Sequence, residues 1–102
     1  MIITRIIRAP RPDTIALLVR RMAHEARKKA EDQNIDAIGL IQTDLPNLFY
    51  YADIGQKAGN VVAVEILGNC PQHISTIAFL GSNEAVNATM AAIIAVDKHQ
   101  EK

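Results

Sequence analysis

The sequence predicts an α+β domain of the ferredoxin-like, split βαβ type: an antiparallel sheet carrying helices, with its last strand moved to the front of the chain together with a helix. Three observations predict it. Short runs rich in β-formers alternate with longer amphipathic runs in the order β-α-β-α-β-β-α. The 102 residues are 49% apolar and 22% charged, the composition of one globular domain with an ordinary core. No linker, repeat or low-complexity stretch interrupts residues 1–102, so the whole chain reads as a single domain.

Met1 to Arg8 reads as a strand because Ile2, Ile3, Ile6 and Ile7 are β-formers, and it stops at Ala9-Pro10-Arg11-Pro12. Pro12 then pre-sets a first helical turn and Asp13 suits its positive end. Ile15, Leu18, Val19, Met22 and Ala26 line one face of a helix that fades near Gln33-Asn34. Asp36 to Gln42 holds the continuous apolar run Ala37-Ile38-Gly39-Leu40-Ile41, the pattern of a strand covered on both faces, and Gly39 marks close packing over it. Thr43-Asp44 and Pro46 open a second helix, with Leu45, Leu48, Phe49 and Ala52 facing inward and Gly59-Asn60 as a left-handed stop. Val61 to Leu67 and Ile74 to Leu80 are two more strands. The segment between them, Gly68 to His73, is too long for a two-residue turn and reads as a protruding loop. Gly81-Ser82-Asn83-Glu84 caps the last helix, whose apolar residues are Val86, Met90, Ile93, Ile94 and Val96.

Composition excludes several classes of function. Eleven basic residues balance eleven acidic ones, so the basic excess of a nucleic-acid binder is missing. An RNA-binding split βαβ domain also needs aromatics on its central strands, and only Phe79 lies on one. The longest apolar run, Met90 to Val96, is far short of the roughly 20 residues of a membrane helix, and Met1 to Arg8 lacks the apolar stretch of a signal peptide. A cytoplasmic protein is expected. One cysteine, Cys70, forms no intrachain disulfide, which agrees with a reducing compartment. No Ser-His-Asp or Cys-His grouping and no phosphate-cradling Gly-rich loop is present, so an enzyme is not expected.

The charge is uneven along the chain. Residues 1–29 carry eight basic and two acidic groups, net +6, and the remainder carries three and nine, net −6. Such polarity suits head-to-tail contacts between copies, although Arg27-Lys28-Lys29 also serves simply to solvate a helix. A chain of this length cannot wall a deep cleft alone, which favours sites built between copies. Cys70, between Asn69 and Pro71, stands in a loop and not in a strand, so it is an available thiol more than a packing residue.

In element order and motifs the chain resembles the bacterial microcompartment shell domain, in circularly permuted order. The Ala/Gly-rich strand Ala37 to Ile41 resembles the usual start of that family. Asp53-Ile54-Gly55-Gln56-Lys57-Ala58-Gly59 resembles its edge motif of Asp, three residues, then Lys-Ala-small. Ile6 to Pro12, with Pro10-Arg11-Pro12, resembles its C-terminal signature placed first. The resemblance implies a flat cyclic homohexamer that tiles with other shell proteins, with a pore lined by Gly68, Asn69, Cys70, Pro71, Gln72 and His73. It also implies Lys57 and Arg11 at the hexamer edge; read without it, Lys57 is a solvated residue of a helix end.

Two features depart from the ordinary family: the loop holds Cys, Pro, Gln and His where Gly and Ser are usual, and Asp13 stands where a His usually follows Pro-Arg-Pro. Gly68-Asn69-Cys70-Pro71-Gln72 resembles the Gly-x-Cys-Pro-Gln motif of the GrpU type of shell protein, associated with glycyl-radical propanediol microcompartments and an iron-sulfur cluster in the pore. That implies Cys70 as the metal ligand and a cluster, of the [4Fe-4S] kind, shared between chains, because a cluster needs several thiolates and each chain has one. A cubane has no six-fold axis, so three or four loops would ligate while the others stand aside. The cluster would pass electrons across the shell or be delivered through it. The alternatives are a metal-free pore for small polar metabolites, a Cys/His zinc site including His73, and a ferredoxin-like regulatory domain binding a ligand between subunits.

Overall fold

In the computed structural model, which describes residues 2–68 and 74–100, the β-branched runs form one four-stranded antiparallel sheet. The elements are β1 (Ile3–Arg8), α1 (Pro12–Val19), α2 (His24–Glu31), β2 (Ala37–Asp44), α3 (Leu45–Ala58), β3 (Val62–Ile66), β4 (Ile74–Gly81) and α4 (Asn83–Gln100). The strand order is β1-β2-β4-β3, with β2 and β4 central.

Alternation along the strands splits the apolar residues between two cores. Ala37 and Ile41 of β2, with Ile77 and Phe79 of β4, pack under α3 and α4 through Leu48, Tyr51, Val86, Met90 and Ile93. Ile38, Ala78, Leu80 and Val64 pack on the other face with Met22 and Ala30 from the α1–α2 region. The unbroken apolar run of β2 thus reflects burial on both faces. Phe79 is fully buried, so no aromatic platform is open on the central strands. A Cβ on Gly39 would stand 2.8 Å from Met90 Sδ, so the glycine lets α4 press onto β2, as its position suggested.

The first helix is two helices, not one. After Val19 the backbone tightens, with Arg21 N donating to Leu18 O (3.0 Å) and Met22 N to Val19 O (3.1 Å). The freed carbonyls find distant partners: Leu67 N donates to Arg21 O at 2.7 Å, and Arg27 Nε donates to Met22 O at 3.1 Å. Ala23 is extended (φ −66°, ψ 160°) and restarts the chain as α2. Continuing the helix would leave Leu67 N without that acceptor and would lift buried Met22 from the sheet.

The inward face of α3 also differs from expectation. Leu48, Tyr51 and Gly55 are buried, whereas Phe49 is 69% exposed and Leu45 lies at the surface. Contacts with α4 set this rotation: Thr89 Oγ1 donates to Gly55 O at 2.8 Å and the Tyr51 hydroxyl donates to Asp97 Oδ1 at 3.3 Å. Gly59 has φ −143° and ψ 153°, ordinary extended backbone and not a left-handed stop. Its role is steric, since a Cβ there would run into the Ala85 carbonyl oxygen and stand 2.6 Å from Thr89 Oγ1.

Candidate functional site

The site of interest is the loop between β3 and β4. Asn69, Cys70, Pro71, Gln72 and His73 lie outside the described residues, so the site is framed by its flanks. β3 ends at Ile66, opposite Thr76. β4 begins two residues earlier, with Ile74 opposite Asp44 and Ser75 opposite Thr43 of β2. The loop therefore leaves the sheet at the end where β2 finishes and α3 starts. Leu67 is anchored through its N–H to Arg21 O. Gly68 is exposed, with no atom of the described residues within 4 Å of where a Cβ would stand, and its φ is not positive. Gly68 adopts no conformation reserved for glycine.

α3 carries Lys57 away from that end. Asp44 caps the helix by accepting from Asn47 N at 3.1 Å, and Pro46 occupies the first turn, where its missing N–H costs nothing. Fourteen residues at about 1.5 Å each carry the chain roughly 21 Å, to where β3 starts with Val62 opposite Leu80. Lys57 Nζ lies 2.6 Å from Asp53 Oδ2, with both side chains well exposed. The hydrogen bond to Asp53, and then its charge, raise the Lys57 pKa above the usual lysine range. The pair is thus a charged, outward feature on the last turn of α3.

Arg11 is the exposed N-cap residue of α1. It follows Arg8, which pairs with Ala37, and Ala37 in turn pairs with Gly81. Arg11 and Lys57 therefore belong to the same end of the sheet, opposite the loop, but they flank opposite edge strands, β1 and β3. Ala9, just before Pro10, has φ 47° and donates its N–H to Asp36 O at 3.0 Å. This left-handed residue, costing roughly 1–2 kcal/mol, bends the chain from β1 into the Pro-Arg-Pro segment.

Sequence reasoning missed the aromatic surface of α3. Leu48-Phe49-Tyr50-Tyr51 is a run in which a helix can bury only part, and the residues retained inside are Tyr51, four before Gly55, and Leu48, three before Tyr51. Tyr51 is 1% exposed, and burial, followed by the charge of Asp97, pushes its pKa up to about 12. It is structural. Among the described residues, no three His, Cys, Asp or Glu side chains come together to hold a metal ion, and no helix is long and apolar enough to cross a membrane.

Solved structures share this architecture, among them three shell proteins. The chain is 42% identical to the ligand-free GrpU microcompartment shell protein from Pectobacterium wasabiae, over 89% of this chain and 98% of that one, with a TM-score of 0.74. It is 28% identical to the GrpU microcompartment shell protein from Clostridiales bacterium 1_7_47FAA, over 93% and 94% of the two chains, with a TM-score of 0.61. A fused permuted hexameric shell protein from the RMM microcompartment shares the fold at 16% identity and a TM-score of 0.67, over 91% of this chain and 43% of that one. No family model and no curated protein matches the chain.

Proposed function

Because the chain belongs to the GrpU family of bacterial microcompartment shell proteins, we propose that it is a hexameric shell tile whose Gly68–His73 loops surround the six-fold axis and whose Cys70 thiolates hold an iron-sulfur cluster there. As a shell subunit it is a structural component of the microcompartment and not an enzyme. The observation that carries the pore reading is that the single thiol of the chain falls in the loop that leaves the sheet at one end, between β3 and β4.

The donor chemistry fits a shared cluster. One thiolate cannot complete the ligand set of a cluster, and the described residues provide no other metal-binding group. Six copies around an axis provide six thiolates, more than the three or four needed. Bound there, the cluster would supply one-electron redox chemistry, for electron transfer across the shell or for delivery of the cluster itself. Cys70 would be the ligand. Backbone amides of Asn69, Gln72 and His73 would favour its thiolate form, and Pro71 would limit the conformations of the loop. Lys57 and Arg11, at the far end of the sheet, would make contacts between neighbouring hexamers.

Anaerobic purification followed by iron and sulfide assays tests the reading. A [4Fe-4S] cluster shared by six chains gives about 0.7 iron per chain with an equal amount of sulfide, and Cys70→Ser abolishes both while the assembly persists. Iron at or above one per chain without sulfide refutes the shared cluster in favour of simple metal binding. Colourless, iron-free protein leaves a bare pore for small polar molecules.

A further inference from the structure

The large apolar side chains that remain exposed are not scattered. Six of those among the described residues, Ile3, Leu45, Phe49, Tyr50, Leu67 and Ile74, lie toward the loop end of the protomer. Ile3 pairs with Gln42 and Ile74 with Asp44 at that end of the sheet. Leu67 immediately follows β3, and Leu45, Phe49 and Tyr50 occupy the first two turns of α3. Single exposed apolar residues need no explanation, but a cluster on one end of a small domain marks an interaction surface.

The cluster has two faces. Leu45 and Phe49, one turn apart, make a stripe along α3, on the side of the sheet covered by α3 and α4. Ile3 belongs to the opposite side, where α1 and α2 cover the Ile38–Leu80 end and the β1–β2 side of the loop end stays open. There Ile3, Arg5, Leu40, Gln42 and Thr76 line an open depression of about 170 Å³, whose floor is tied by Gln42 Nε2 donating to Thr76 Oγ1 at 3.2 Å. A knob on one face and a hollow on the other cannot satisfy each other within one chain. They can do so between successive copies in a ring, because a cyclic assembly larger than a dimer uses two different patches per subunit. The charges agree: the hollow carries Arg5, and the stripe begins beside the exposed carboxylate of Asp44, in keeping with the +6 and −6 halves of the sequence.

We propose that the Leu45–Phe49 stripe of one copy seats in the Ile3–Leu40 depression of the next, with Arg5 facing Asp44 across the boundary, and that this repeated contact closes the ring around the loops. The proposal rests on the ring reading above, and it adds the surface that makes the ring. Neighbours crowd most closely near the axis, which is where both patches lie if the loops meet there.

Light scattering on the full chain at micromolar concentration tests it. Wild type should weigh six times 11.2 kDa, about 67 kDa. Phe49→Lys and Ile3→Asp, each at an exposed position, should fall to 11.2 kDa with unchanged far-UV circular dichroism. Leu17→Lys, at an exposed apolar residue of the other end, should leave the assembly intact. Mixing the first two variants should restore dimers or larger species, since one retains an intact hollow and the other an intact stripe. An assembled wild type whose mass survives either substitution, a mixture that stays monomeric, or an equal effect of Leu17→Lys overturns the interface while sparing the ring. A monomeric wild type overturns both.

Discussion

The joint between α3 and α4 holds the helix that carries Lys57 in place, and Gly59→Ala perturbs it at a single atom. The φ of −143° at Gly59 suits alanine, so no dihedral strain enters. The added methyl instead meets the Ala85 carbonyl oxygen, which moves only if α4 moves, and Thr89 Oγ1 at 2.6 Å. Overpacking of this kind costs about 1–3 kcal/mol. Displacing the Thr89 hydroxyl also weakens its buried 2.8 Å hydrogen bond to Gly55 O, about 1 kcal/mol more. The lower entropy of the unfolded alanine chain returns only about 0.4–1 kcal/mol. The net loss is roughly 2–3 kcal/mol, which for a domain of this size lowers Tm by roughly 10–20 °C. Thermal unfolding followed by circular dichroism at one fixed protein concentration measures it, since assembly contributes to apparent stability. Gly68→Ala is the control: with no atom of the described residues near its Cβ, it should hold or slightly raise Tm. Equal Tm for Gly59→Ala and wild type, or equal losses in both variants, would refute the steric account.

Lys57→Asp should abolish tiling of hexamers into extended layers, visible by electron microscopy, without lowering the solution mass, because Lys57 sits at the end of the sheet opposite the loop. Tyr51 gives the protein an alkaline limit. Its folded pKa of about 12 exceeds the ordinary 10.0, so the stabilisation of the neutral phenol is complete below pH 10 and is lost as pH rises through 12. Its partner Asp97 is only half-buried, which trims the effect to about 1–2 kcal/mol. Denaturant titrations from pH 9 to 12 should show this extra loss in wild type relative to Tyr51→Phe, and parallel curves would contradict it.

Helices and strands were legible wherever the signal is local. The β-branched run at Ile2 to Ile7, the two-sided apolar run of β2 and the Pro12 and Pro46 helix starts all act within a few residues of themselves. The Asp53–Lys57 pair is likewise a matter of spacing along one helix. The loop is legible from the length of the segment between two strand patterns, and the Cys70 motif is a property of the sequence alone.

Tertiary structure decided what local propensity leaves nearly level. Differences between ordinary residues in a helix amount to no more than about 0.7 kcal/mol each, less than one buried hydrogen bond or packed side chain can contribute. Leu67, far along the chain, therefore ends α1 by taking the Arg21 carbonyl. Thr89 and Asp97 turn α3 so that Tyr51 goes inside and Phe49 outside, a choice that four consecutive apolar and aromatic residues do not encode. Gly59 is required by the backbone of α4 and not by its own φ. Local residue patterns are enough to say which segments form and where Cys70, Lys57 and Arg11 stand along them. Which faces those segments hide, and so which apolar patches are left for another copy, depended on contacts between residues that only the folded chain brings together.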